Sequence, residues 1–242
     1  MKTILITGGS RGIGRAVAKL AAQSGYAVAF TYMTSDGEAA DLVEEFAREG
    51  CMASAYKADC ADPDALARVV EDVASRFGGI YALVNNAAYS VISPLVDTSD
   101  EDVTRTLAVN LEGAIRLTKL VCPYMTSARE GRIVNVSSVW GISGASCESV
   151  YSASKGGLIA FTKAMAKELA PSDVSVNCVC PGVIDTEMNS HLSPSDRKAL
   201  EDEIPAGRFG TAEEVAKTVM FFVDSAPYVT GQVLCVDGGF AV

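Results

Sequence analysis

The sequence predicts an α/β fold, a single doubly wound domain on a seven-stranded parallel sheet. Three observations predict it. Short β-branched runs alternate with longer amphipathic segments along all 242 residues, the repeat of strands joined by crossover helices. The strand runs are nearly continuous in apolar residues, as in strands covered on both faces. A glycine-rich turn, Thr7-Gly8-Gly9-Ser10-Arg11-Gly12-Ile13-Gly14, leads from the first strand into the first helix, the start of a Rossmann fold.

Taken in order, Thr3–Thr7, Ala27–Tyr32, Ala53–Lys57, Ala82–Asn85, Ile133–Ser137, Ser175–Val179 and Gln232–Val236 read as strands. Helical segments lie near Gly12–Ser24, Glu38–Glu49, Pro63–Phe77, Asp100–Ala128, Tyr151–Ala170 and Ala212–Asp224. Asp62-Pro63 is an N-cap followed by proline at the first helical position. The stretch from about Val183 to Phe209 breaks the rhythm as an irregular insertion. It falls after the sixth strand, above the carboxyl ends where such sheets bind ligands, and reads as a substrate lid. Its histidine, His191, reads as a surface side chain.

Twenty basic against thirty acidic residues give a net charge of −10. That excludes nucleic acid and anionic membranes as main partners, since both need a basic face. The apolar opening Met1-Lys2-Thr3-Ile4-Leu5-Ile6 is too short for a secretory core, and no run is long enough to span a bilayer. The seven cysteines form no C-x-x-C pair. They point to a reducing, cytoplasmic compartment, and no metal site is expected.

The glycine turn suits a pyrophosphate, because glycines bring backbone N–H groups close to it at a helix N-terminus. Gly8, Ser10, Arg11, Gly12, Ile13 and Gly14 are the candidates for that contact. The end of the second strand then selects the cofactor. An NAD site places an acid there, on the ribose 2′-hydroxyl. Here the strand ends Phe30-Thr31-Tyr32-Met33-Thr34-Ser35, with no carboxylate before Asp36. Thr34 and Ser35 can donate to a 2′-phosphate, and Arg11 can meet it with a fork of donors. NADP(H) is the expected cofactor.

Tyr151-Ser152-Ala153-Ser154-Lys155 puts a phenol and an ammonium one helical turn apart on one face. An unperturbed tyrosine, with a pKa of about 10, is a poor proton shuttle near neutrality. A cation one turn away is expected to lower that pKa toward the working range. Ser138, at the carboxyl end of the fifth strand, would orient a carbonyl oxygen and the Tyr151 phenol. Asn110, an awkward amide within a long helix, reads as a bend holding a water linked to Lys155.

The glycine loop, Asn85-Asn86-Ala87, Asn110, Ser138, Tyr151-x-x-x-Lys155, Pro181-Gly182, Arg208-Phe209-Gly210, Thr230-Gly231-Gln232 and Val236-Asp237-Gly238-Gly239 resemble the short-chain dehydrogenase/reductases in order and spacing. Within that family the chain looks like the bacterial 3-oxoacyl-acyl-carrier-protein reductases. Trp140-Gly141 with Gly144-Ala145-Ser146-Cys147-Glu148 resembles a Gram-positive branch, some of which reduce a 5-aminopentanone group on elongation factor P. The resemblance implies that Tyr151 protonates the alkoxide, Ser138 polarises the ketone, Lys155 binds nicotinamide ribose, and Asn110 completes a water relay. It implies further that Asp59, with Cys60, meets the adenine and that Asn86 and Ala87 pass the adenine ribose. Pro181, Gly182, Ile184 and Thr186 would pack on the nicotinamide.

Two departures stand out. Ala88 replaces a glycine usual in the family, which is expected to be tolerated. The stretch Glu168–Asp173 lacks an arginine that carrier-protein reductases often carry, leaving Arg129 and Arg132 as a thinned docking patch. Ser90, Val91, Trp140, Ser143, Cys147 and the lid are expected to line the substrate pocket.

The expected activity is reduction of a small-molecule or carrier-bound ketone with NADPH. A non-catalytic dinucleotide-binding regulator would break the Tyr/Lys pair, and an NAD-linked alcohol dehydrogenase would carry the missing acid. A homotetramer is expected from apolar stripes Leu107, Leu111, Leu117 and Val121 on one long helix and Leu158, Phe161, Met165 and Leu169 on another, together with the apolar C-terminal end.

Overall fold

The computed structural model describes residues 1–190, 192–224 and 228–241. His191 and the last tail residue, Val242, lie outside them. The described residues form one seven-stranded sheet in the order β3-β2-β1-β4-β5-β6-β7, every neighbouring pair parallel. The strands are β1 Thr3–Ile6, β2 Ala27–Tyr32, β3 Ala53–Lys57, β4 Ala82–Asn85, β5 Gly131–Val136, β6 Val174–Pro181 and β7 Val233–Val236. Each lies within a few residues of its expected bounds. β5 and β6 begin earlier, because Gly131 and Val174 pair in register at the sheet's lower edge.

Helices α1 Gly12–Gln23, α2 Asp36–Arg48 and α9 Ala212–Asp224 cover one face. Val17, Ala21, Leu42, Phe46, Val219 and Val223 meet Ile4, Ile6, Val28 and Phe30 there. Helices α3 Pro63–Phe77, α5 Gly113–Ala128 and α7 Ser149–Leu169 cover the other, packing Leu66, Val70, Leu117, Val121 and Leu169 on Leu5, Leu83 and Ile133. This two-sided burial is why the strands read as unbroken apolar runs. Asp62 caps α3 as expected, accepting from the Asp64 and Ala65 amides at 2.9 and 3.1 Å.

Two expectations are corrected and one short helix is added. The long helix predicted over Asp100–Ala128 is α4 Asp100–Leu107, a π-helical segment Ala108–Glu112, and α5. Trp140–Ser143 forms a short helix, α6. The lid is not irregular throughout: it holds α8, Pro194–Glu203, capped by the Ser193 hydroxyl on the Asp196 amide. The lid's sparse apolar residues hide that helix from a periodicity reading, because a mostly solvated helix has no stripe to detect.

Half of the proposed outer stripes belongs to the core. Leu117, Val121, Leu158 and Leu169 are buried within the chain, and the large hydrophobic residues exposed on α4 and α5 are Leu107, Ile115 and Tyr124.

Candidate active site

A cleft of about 660 Å3 opens over the carboxyl ends of the strands. It is centred between β1 and β4, where the strand order reverses and the loops diverge. Every catalytic and cofactor-contacting residue expected from the sequence lines it except Gly14 and Asn110, which stand behind the wall.

The loop after β1 needs its glycines for space. Gly8 has φ +65°, a left-handed conformation that L side chains rarely adopt. A Cβ on Gly14 would lie 2.1 Å from the Gly8 carbonyl oxygen, so helix and loop close together only without a side chain. The loop is also pinned from outside. Asn86 Nδ2 donates to the Thr7 and Gly8 carbonyls at 2.9 and 3.1 Å. Thr7 Oγ1 accepts the Asn86 and Ala87 amides, both at 2.9 Å. The first turn of α1 therefore presents its N–H groups to a fixed cradle that fits a pyrophosphate. Ala88 is absent from the residues with positive φ, so its methyl causes no backbone strain.

At the end of β2, Thr34 and Ser35 line the cleft with Arg11. Arg11 has no ion-pair partner among the described residues. The nearest acid in sequence, Asp36, is turned to Lys57, whose ammonium lies 2.7 Å from its carboxylate. At the end of β3, Asp59 is paired with Arg105 of α4 at 2.6 Å. Cys60 is buried, which pushes its thiol up to about 11.

Tyr151 and Lys155 share one face of α7, with the ammonium 5.6 Å from the phenol ring centroid. The Ser138 hydroxyl lies near the phenol, where it works to lower the Tyr151 pKa, and accepts the Trp140 amide at 3.1 Å. Lys155 donates to the Val136 carbonyl at 2.8 Å, under complete burial that lowers its pKa to about 8. The expected depression of the Tyr151 pKa is not found. Burial, with the Glu148 carboxylate adding to it, holds the phenol above the ordinary tyrosine range. The physical reason is that the ammonium sits over the ring and bonds backbone, while the phenol oxygen loses its water. The site therefore presents a neutral phenol, a proton donor rather than a base.

The Asn110 side chain is fully engaged. Its Nδ2 donates to the Tyr89 carbonyl at 2.9 Å and Ser154 Oγ at 3.1 Å, and its Oδ1 accepts the Tyr89 amide at 2.7 Å. It ties the loop after β4 to α7. The irregularity expected at Asn110 is the π-helical segment itself.

On the substrate side, Ser90 lines the cleft, whereas Val91, Trp140, Ser143 and Cys147 do not. Trp140 packs edge-on against Phe240 instead, 5.5 Å between centroids. From the lid, Thr186, Glu187, Met188 and Asn189 reach the wall. Arg132 is buried, donating to the Gly131 carbonyl at 2.7 Å, and Arg129 is paired with Asp173. The basic pair is thus not a free docking patch.

Sequence reasoning missed Arg105, Tyr89 and Glu148. Arg105 sits on a helix remote in sequence from Asp59, and no local spacing announces the pair. Glu148, three residues before Tyr151, was within reach of the helical rule that residues three apart share a face.

Comparisons with known proteins agree with this architecture. The family described as "Enoyl-(Acyl carrier protein) reductase" matches residues 8–241. The chain is 41% identical over 242 residues to the 3-oxoacyl-[acyl-carrier-protein] reductase FabG of Thermotoga maritima, covering 100% of this chain and 98% of that one. It is 36% identical to the uncharacterized oxidoreductase YmfI of Bacillus subtilis, over 99% and 98% of the two. Among solved structures, a putative gluconate dehydrogenase from Agrobacterium tumefaciens superposes with a TM-score of 0.94 at 30% identity, over 99% and 96% of the chains. With its glycine cradle, its Ser138–Tyr151–Lys155 cluster and full-length relatives of this kind, the chain belongs to the short-chain dehydrogenase/reductase family of oxidoreductases.

Proposed function

We propose that the protein reduces a ketone to a secondary alcohol with NADPH, and that its substrates are 3-oxoacyl thioesters on acyl carrier protein. One observation carries the chemistry: a neutral Tyr151, beside Ser138 and backed by Lys155, shares a cleft with a glycine cradle shaped for a pyrophosphate. Bound NADPH supplies the hydride. Tyr151 then gives its proton to the alkoxide oxygen, and the Ser138 hydroxyl orients that oxygen. Lys155 holds nicotinamide ribose hydroxyls. The thioester substrate rests on 3-oxoacyl-[acyl-carrier-protein] reductases similar to this chain.

For the cofactor, Thr34, Ser35 and an unpaired Arg11 face the position a 2′-phosphate would take, and the acid that would repel it is engaged by Lys57. We expect kcat/KM for NADPH to exceed that for NADH by well over tenfold. Arg11→Ala should narrow the gap by roughly 1.5–3 kcal/mol, the value of a charge-assisted contact. Equal use of both cofactors by the unmodified protein would overturn the assignment.

A second reading has a specific observation in its favour. Glu148 accepts from Ser90 Oγ at 2.9 Å, and Ser90 lines the substrate end of the cleft. No cation pairs with that carboxylate among the described residues, so it suits a substrate that brings its own, such as the 5-aminopentanone modification on elongation factor P. The deciding experiment follows NADPH consumption with acetoacetyl thioesters, free ketones and the modified elongation factor. Turnover confined to the last overturns the thioester assignment, and turnover of none overturns ketone reduction.

For the assembly we propose a homotetramer. Leu107, Ile115 and Tyr124 on one side, and Phe221 and Leu234 on another, are large apolar residues 38–48% exposed in the single chain, and two-fold contacts would cover them. Light scattering at micromolar concentration should give a mass near four times the 25.3 kDa chain; the monomer mass would refute it.

A further inference from the structure

Arg105 spans the ends of three strands without belonging to any motif. Its Nη1 donates to Asp59 Oδ2 at 2.6 Å, beyond β3. Its Nη2 lies 3.0 Å from Met33 Sδ, beyond β2, and its guanidinium is 6.0 Å from the Tyr89 ring, beyond β4. Asp59 Oδ1 accepts the Ala61 amide at 2.9 Å. The carboxylate is thus held at both oxygens, by one backbone N–H and one guanidinium.

The pair is open to water, with side-chain exposures of 26% for Arg105 and 30% for Asp59. Ion pairs so exposed add little to stability. Yet both side chains line the cleft, at the end away from Tyr151, beside Met33 and Cys60. A carboxylate oxygen offers two lone pairs and only accepts. Held in one orientation, Asp59 presents acceptors, and no donor, to whatever base lies there.

We infer that Arg105 is a positioning residue for the purine end of the dinucleotide, fixing Asp59 so that it accepts the exocyclic amine of adenine and rejects a base with a carbonyl there. The inference rests on the reading of the cleft as an NADP(H) site. Its physical basis is that two acceptors facing each other leave both unpaired, a heavy cost when partly desolvated. The rejection holds only while the carboxylate cannot rotate away. Without Arg105, Asp59 keeps a single tether and can turn.

The test measures binding rather than turnover. Wild type, R105M and D59N are titrated with NADPH and with its reduced hypoxanthine analogue, following cofactor fluorescence and calorimetry. R105M keeps the length that packs on Met33 while removing the fork. We expect wild type to bind the adenine form at least tenfold tighter than the hypoxanthine form. R105M should lose tenfold or more for NADPH and less than threefold for the analogue, bringing the ratio near one. D59N, which can donate, should equalise or reverse it. An R105M ratio unchanged from wild type, or an equal loss for both dinucleotides, would overturn the role of Arg105. Wild type without base preference would overturn it too. Wild type that binds neither dinucleotide would instead bring down the reading of the cleft on which the inference stands.

Discussion

Tyr151→Phe should lower kcat for ketone reduction by 10²–10⁴-fold, the usual contribution of a positioned general acid, while NADPH affinity stays within about threefold. The ring remains to fill a position only 9% exposed, so the fold and cradle are undisturbed. What goes is the hydroxyl that lies beside Ser138 and that burial keeps protonated. Because the phenol sits above the ordinary range, reduction should hold its rate through neutral pH without an alkaline limb from Tyr151. A variant with more than about a tenth of wild-type kcat would remove Tyr151 from the role of proton donor. Turnover and binding must be read together, since a fall in both would indicate a collapsed site.

The second large effect is at Lys155, where function and stability should move in opposite directions. Lys155→Met should abolish turnover and weaken NADPH binding, because in the proposed mechanism one ammonium serves the ribose and the proton donor. It should also raise the Tm of the cofactor-free protein at pH 7. The Lys155 pKa is about 8 in the folded chain against 10.5 when unperturbed. Below pH 8 both states are protonated, and the folded one bears the full cost of a buried cation, about 3 kcal/mol. Between pH 8 and 10.5 the unfolded chain binds the extra proton, so stability rises with pH and the cost disappears. Removing the ammonium orphans the Val136 carbonyl, a loss of about 1–2 kcal/mol. A net gain of about 1–2 kcal/mol remains, worth roughly 2–4 °C per kcal/mol in a chain of this size. Calorimetry should show the variant's advantage at pH 7 shrinking toward pH 10. A lower Tm for the variant at pH 7, or a constant difference, would show that the buried charge is not penalised.

Much of the site was legible in sequence because its parts are local. The cradle is a turn whose glycines answer a steric demand within seven residues, Gly8 to Gly14. Tyr151 and Lys155 are one helical turn apart. Thr34 and Ser35 are defined by the end of a strand. The α/β repeat follows from two periods that composition alone displays, and with it the place of the cleft at the strand ends.

Other features arise between segments that only the folded sheet brings together. Arg105 meets Asp59 across 46 positions, and no periodicity connects α4 to the end of β3. Asn110 spends its amide on Tyr89 and Ser154, a partnership set by how the loop after β4 packs on α7. The pKa of Tyr151 turned on how much water the phenol loses, and burial is a property of the packed chain; the helix alone shows the neighbouring charges but not that loss of water. The apolar residues of α5 and α7 divide between core and surface in the same way. The sequence by itself determined which local elements form and which chemistry they carry. The tertiary structure decided which charges are paired, which are buried and which face the cleft, because those depend on neighbours far away in the chain.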